Sequence, residues 1–225
     1  MIILAFDTCL AACSATVIER SIAGRGRVLA RRFEPMATGH AEALMPMIAG
    51  VLDDVALTVA ACDAIAVSVG PGTFTGVRVG VAAARGLALA SGKPVLTATS
   101  LALIAAEAGP STTRIAVAAD ARNGQVHFLL VAADAVTPHG PPRLLTVAEA
   151  VRQVGATPIR LRGSAAVSLA AALDPRVVVE ARATEPDAAA FAHVGLTSAD
   201  PPVPLYLREP DAKPQIGKSL PRVAT

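Results

Sequence analysis

Two aspartates stand at matching places in the chain. Asp7 ends the apolar run Ile2 to Phe6, and Asp120 ends the run Arg114 to Ala119. A carboxylate at a strand tip that faces a cleft could hold Mg²⁺ and, through it, a phosphate. The simpler role, which we favour for both, is to accept hydrogen bonds from the residue's own turn. A third feature is the loop Gly70-Pro71-Gly72-Thr73-Phe74-Thr75-Gly76. Glycines let a backbone turn sharply and come close to a neighbour. The helix expected behind this loop presents unpaired N–H groups, which favour an anion. Thr73 or Thr75 can cap that helix.

The loop admits three readings. It is a tight strand-to-helix turn with no ligand, a dinucleotide loop, or a phosphate loop. A dinucleotide loop should follow the first strand of a βαβ unit and precede an acidic residue about 20 positions on. Here it follows an antiparallel meander, and Val95 to Ser100 carries no acid. The phosphate loop fails because no Gly-Lys-Ser/Thr closes it.

Other chemistry is sparse. His40, His127, His139 and His193 lack metal-ligand spacing, and no HExxH pair or Ser-His-Asp set is apparent. Cys9, Cys13 and Cys62 are odd in number with no CxxC, which argues against a disulfide framework or zinc site and for a reducing compartment. Leu10-Ala11-Ala12-Cys13 resembles a lipoprotein cleavage box, but Asp7 interrupts the apolar run before it and no early Lys or Arg precedes it. It reads as a buried strand.

The elements that position these residues follow from periodicity. Ile2 to Phe6, Cys13 to Ile18 and Val28 to Phe33 read as three antiparallel strands, with Ser21 to Arg27 as the second turn. His40 to Asp54 reads as a helix, since Leu44, Met47, Ile48, Val51 and Leu52 form one apolar stripe. Pro46 should kink it or mark its first turn. Asp63 to Val69 reads as a strand, Thr75 to Ser91 as a helix ended by Gly92, and Val95 to Ala98 as a strand. Gly76, Gly80 and Ala84 share one helix face, where close packing would offset the helix-propensity cost of glycine, about 1 kcal/mol each. Ser100 should cap a short helix through Ala106.

The pattern strand–Asp–turn–strand at 2–18 recurs at 115–131, a faint internal duplication. Thr146-Val147-Ala148-Glu149 has capping-box spacing and opens a helix to about Val154. Ile159 to Arg162 and Val177 to Val179 read as strands, and Ala165 to Leu173 and Pro186 to Val194 as helices. The tail from 209, rich in proline and charge, reads as mobile.

Composition narrows the class. The 225 residues are 53% hydrophobic, enough for one large domain or two small lobes. No uncharged apolar stretch reaches the roughly 20 residues of a membrane helix. The net charge of +2 is too small to argue for nucleic acid. The mean hydropathy of +0.53 points to apolar surface and hence a protein partner. Arg78 and Arg85 share a helix face, either solvated or pairing with acids of such a partner. Arg25, Arg27, Arg31 and Arg32 form a basic cluster that reads as a solvated strand face rather than a nucleic-acid contact.

Five blocks occur in order: Ile3-Leu4-Ala5-Phe6-Asp7-Thr8, His40-Ala41-Glu42-Ala43-Leu44-Met45-Pro46-Met47-Ile48, GPGTFTGVRVG over 70–80, Asp120-Ala121-Arg122, and PLYLR over 204–208. With them the chain resembles the TsaB (YeaZ-like) family over nearly its whole length, with Cys9 and Thr73 where serine is more usual. The resemblance implies an α/β, actin-like (Hsp70-like) fold of two ribonuclease-H-like lobes, the second reduced: 1–107, 108–208, and a tail 209–225. It implies a non-catalytic scaffold subunit that supports TsaD in transferring threonylcarbamoyl to adenosine 37 of tRNAs reading ANN codons. The ATPase TsaE would join the assembly, the chain alone would form a homodimer, and tRNA would be met only through the complex, in the cytoplasm. Asp7, Thr8, Gly70, Gly72, Thr73, Thr75, Gly76 and Asp120 would lie near a nucleotide or anion. His40, Leu44, Met47, Ile48, Val51, Val77, Arg78, Val81 and Arg85 would form the partner interface. No catalytic residue, metal or cofactor is implied, and ATP or ADP only at the boundary with partners. His40 lacks the second histidine, one turn on, that TsaD uses for metal; Leu44 stands there. The alternative is an independent ATP-dependent phosphotransferase of the actin-like superfamily using Asp7 and Asp120. The DARNG turn at 120–124 lacks that superfamily's glycine-rich loop, which favours the scaffold.

Overall fold

The computed structural model describes residues 1–21, 26–199 and 201–208. Part of the turn expected at 21–27, Arg25 and the tail from 209 lie outside the described residues.

Strands β1 (Ile2–Asp7), β2 (Ala12–Arg20) and β3 (Gly26–Pro35) form the expected antiparallel meander. Strands β4 (Ala64–Ser68) and β5 (Val95–Ala98) add in parallel on the β1 side, and the two-residue β11 (Thr197–Ser198) closes the edge. The second sheet repeats the plan. β6 (Ile115–Asp120), β7 (Gln125–Val131) and β8 (Arg143–Thr146) form a meander, with β9 (Ile159–Arg162) and β10 (Val178–Arg182) added in parallel on the β6 side. The orders β5-β4-β1-β2-β3 and β10-β9-β6-β7-β8 correspond strand for strand, so the duplication is structural.

Alternation along β1 explains why its sequence is uniformly apolar. Leu4 and Phe6 pack on helix α1 (His40–Asp53) and one side of α2 (Phe74–Ser91), while Ile3 and Ala5 pack on α3 (Ser100–Glu107) and Phe191. A strand covered on both faces has no polar side to display. Phe6 and Phe191 are fully buried, each contributing about 2–3 kcal/mol of transfer free energy. Helix α3 lies between the lobes, with Leu101 and Ile104 against Ile115 and Val117. Helices α4 (Val147–Val154) and α5 (Ala166–Ala171) cover the far face of the second sheet.

Most helix termini carry the caps that their sequence predicts. Thr73 caps α2 by accepting from the Gly76 amide at 3.1 Å, and Gly92 ends it at φ 68°. Thr146 and Glu149 form the expected capping box. Helix α1 runs unbroken through Pro46. Three expectations are corrected. The cap of α3 is Thr99, whose Oγ1 accepts from Ala102, while Ser100 donates to the Pro71 carbonyl at 2.5 Å. Residues 186–194 hold only a short 3₁₀ turn, Ala188–Ala192. The boundary at 107/108 marks a single crossing, but the chain crosses back. That turn packs on β1, β2 and β3, and β11 pairs with β5, so residues 188–198 belong to the first lobe.

Candidate functional site

The tip of β1 and the loop before α2 meet backbone to backbone. The Thr73 amide donates to the Cys9 carbonyl at 2.7 Å, and the Thr8 hydroxyl donates to the Gly76 carbonyl at 2.7 Å. A Cβ at Gly72 would stand 2.1 Å from the Cys9 oxygen, and one at Gly76 would stand 2.1 Å from the Thr8 oxygen. The two glycines are therefore explained by the chain itself. Gly70, at φ 104°, accepts from the Ser100 amide and faces the Leu205 carbonyl. Of the loop residues expected near an anion, Gly70, Gly72 and Gly76 approach protein backbone, while Thr73 and Thr75 are exposed.

Asp7 is sealed beneath this junction. It is fully buried, its Oδ1 accepts from the Cys9 amide at 3.0 Å, and its Oδ2 accepts from the Ser68 hydroxyl. Burial pushes its pKa up to about 7 against the opposing pull of those hydrogen bonds. The Cys9 thiol lies 3.2 Å from the Ser68 Oγ, and burial pushes it up as well. Asp120 is exposed and caps its own turn, accepting from the Arg122 amide at 3.0 Å. Both aspartates thus serve their turns, and only Asp120 faces open space. Among the described residues no group of three or more His, Cys, Asp or Glu could hold a metal ion.

That space is a cleft of about 500 Å³ between the lobes. The loop before α2, the turn after β6 and the segment 205–208 line it. Its polar side chains are Thr73, Thr75, Asp120, Arg122, His127, Tyr206 and Arg208. His127 is 8% exposed, and its Nδ1 has no hydrogen-bond partner. Burial, with Arg208 nearby, pushes its pKa down to about 4, so the ring is neutral. Sequence reasoning missed Arg122, His127 and Arg208 as lining residues, because their convergence depends on how the lobes meet.

Most residues expected at the partner interface are buried within the isolated chain. Leu44, Met47, Ile48 and Val51 lie in the core of the first lobe, and Val77 and Val81 lie in the core between the lobes. His40 is buried, with its Nε2 2.9 Å from the Leu10 carbonyl. These side chains are buried within the chain itself. The apolar stripe marked the faces that bury inward. Arg78 and Arg85 are engaged by the chain's own residues 202–206. Arg85 donates twice to the Pro202 carbonyl, at 2.6 and 3.1 Å, and Arg78 donates to the Tyr206 hydroxyl at 2.9 Å. Arg78 also lies 3.6 Å over the Phe74 ring, which stacks on Tyr206. Of the early basic cluster, Arg27 pairs with Glu19, Arg31 with Asp187 and Arg32 with Asp54.

Among the exposed residues of these helices is a set of small or apolar side chains. On α2 it comprises Ala82, Gly86, Leu89 and Ala90; on α1 it comprises Met45 and Ala49. Leu89 is 89% exposed. Among the described residues, no atom outside the local helix backbone lies within 4 Å of a Cβ placed at Gly86.

A model of the family "TsaD: tRNA N6-adenosine threonylcarbamoyltransferase" matches residues 34–198. An uncharacterized protein of Mycobacterium tuberculosis is 34% identical over 94% of each chain. The Escherichia coli tRNA threonylcarbamoyladenosine biosynthesis protein TsaB is 35% identical over 57% of this chain and 54% of its own. Among solved structures, an uncharacterized Pseudomonas aeruginosa protein with similarity to peptidase YeaZ superposes with a TM-score of 0.76 at 28% identity, covering 92% of this chain and 99% of that one. YeaZ from the same organism gives 0.71 at 30% identity, covering 84% and 88%.

Proposed function

The chain belongs to the TsaD family as a TsaB-like member with the actin-like, two-lobed fold, and from that premise we propose that it works in threonylcarbamoyladenosine biosynthesis as a non-catalytic subunit. In this reading it binds and supports a TsaD-type partner that transfers threonylcarbamoyl to adenosine 37 of tRNAs reading ANN codons. It meets tRNA and the ATPase TsaE only through that assembly, in the cytoplasm. It needs no metal or cofactor of its own, and any adenine nucleotide sits at the boundary with the partner. When alone it pairs with a second copy through the same face.

The observation that carries the reading is the state of Asp7. The carboxylate that an actin-like phosphotransferase would turn toward metal and phosphate is here fully buried and bonded to Cys9 and Ser68. The exposed face of α2 supports a docking role. Gly86 costs the helix about 1 kcal/mol relative to alanine and gains nothing within the chain, so its use is to let another surface close on the helix.

Co-purification with TsaD from the same cell, read by light scattering, tests the proposal. We expect a one-to-one complex that displaces the homodimer, and its loss on Leu89→Asp with the melting temperature unchanged. A chain that forms no complex and transfers phosphate from ATP by itself would establish the independent phosphotransferase instead.

A further inference from the structure

The cleft between the lobes has a chemistry of its own that the docking role does not use. Leu10, Phe74, Ala121, Leu205 and Leu207 give it apolar walls. Among the described lining residues are two arginines, Arg122 and Arg208, and one acid, Asp120. Asp120 already spends Oδ1 on the Arg122 amide, and Arg208 reaches Gln125 Oε1 at 2.5 Å, which holds it at the cleft. The 18-residue helix α2 begins at the cleft, so its positive end adds to the same sign.

His127 supplies an independent observation. Its ring lines the cleft and is more than nine-tenths buried, yet Nδ1 has no partner. An unmade hydrogen bond on a buried polar atom costs about 1–3 kcal/mol. A neutral imidazole offers one donor and one acceptor, suited to a ligand that is polar at one end.

We infer that this cleft binds a small organic anion, an apolar or aromatic body bearing one oxyanion group, held by Arg122, Arg208 and the α2 terminus with His127 beside it. Volume, apolar walls and a few convergent polar groups are the usual form of a small-molecule site. A metal polyphosphate suits it less, since among the described residues Asp120 is the only carboxylate in the lining and Asp7 is sealed below. Carboxylates and phosphate monoesters share the required chemistry. The inference does not depend on the partner-binding role.

The test is titration of the ¹⁵N-labelled full chain, metal-free, with benzoate, phenyl phosphate and inorganic phosphate. We expect saturable shifts confined to residues 73–76, 120–122 and 127 with at least one organic probe. The tighter of the two assigns the oxyanion as carboxylate or phosphate monoester. Arg122→Gln and Arg208→Gln should each weaken binding by about tenfold, the worth of one charge-assisted hydrogen bond, without changing the melting temperature. Absence of saturation up to the solubility of both organic probes overturns the proposal. So does binding that both arginine variants leave intact, or inorganic phosphate binding as tightly as the organic probes.

Discussion

Asp7 ties the stability of the chain to pH. Its folded pKa of about 7 lies above its ordinary value of 3.8, so between those values the folded chain keeps a proton that the unfolded chain has released. Stability therefore falls as pH rises through that window, and the loss is complete above about pH 7. Asp7→Asn keeps the shape, still accepts from Cys9 and cannot ionise. Relative to wild type, the variant should gain stability progressively from pH 4 to pH 8 in denaturant unfolding. Parallel curves for the two proteins would show that Asp7 does not titrate in this range. Glycine positions allow a second contrast at this scale. Gly76→Ala would press a methyl onto the Thr8 carbonyl, a backbone atom that cannot yield, and should cost several kcal/mol or prevent folding. Gly86→Ala meets no atom and should stabilise the isolated chain by about 1 kcal/mol, while weakening any complex that closes on α2. Thermal melts of the two variants decide both. The sequence put Gly76 and Gly86 on one helix; which of them has a neighbour depends on a contact 68 residues away, between Thr8 and Gly76.

Helix α2 is the element on which most functional expectations rested, and it does three jobs. Its inward face packs Val77 and Val81 between the lobes, its N-terminus opens on the cleft, and its flank holds the segment 202–206. Arg78→Ala removes the bond to Tyr206 and the contact with Phe74. Because all these groups are at least partly exposed, the melting temperature should move little, since exposed contacts of this kind contribute at most about 1 kcal/mol. Amide exchange of Val203, Leu205, Tyr206 and Leu207 should rise by contrast. Unchanged exchange would mean that the Leu205 amide on the Val69 carbonyl and the Arg85 contacts suffice to hold the segment. Periodicity located this helix to within a residue, and the stripe expected to meet a partner is buried within the isolated chain. An apolar stripe marks the side that leaves water, and in a two-lobed chain that side is covered from within. The exposed face that we propose for docking is what was left, small residues around Leu89 with little hydrophobic pattern of their own.

At the scale of the whole molecule, the duplication and the return of the chain are the decisive features. Two sheets of matching order face each other across α3, and residues 188–198 return to the first sheet after the second is complete. The return is anchored by Arg20, which donates to the carbonyls of Phe191 and Val194, and by the Arg31–Asp187 pair. Ending the chain after Arg182 would leave Ile3, Ala5 and Ile18 without Phe191, exposing a core face rather than removing a lobe. Such a truncation should yield an insoluble or molten chain, judged by near-ultraviolet circular dichroism, whereas one ending at Arg208 should melt cooperatively. The first truncation melting like the full chain would show that the return adds nothing to the core of the first lobe.

The sequence by itself determined the strands, the helices, most caps and the repeated strand–Asp–turn–strand unit, because each is written in spacings of a few residues. It also determined the family, through five ordered blocks. It did not determine which aspartate faces the cleft, what Arg78 and Arg85 hold, or where the second lobe ends. Those depend on residues far apart in the chain arriving at one place: Asp7 against Ser68, Arg78 against Tyr206, Phe191 against Ile3. The physical reason is that local propensity acts within a turn or two of backbone, whereas burial and unpaired polar atoms are properties of the packed whole.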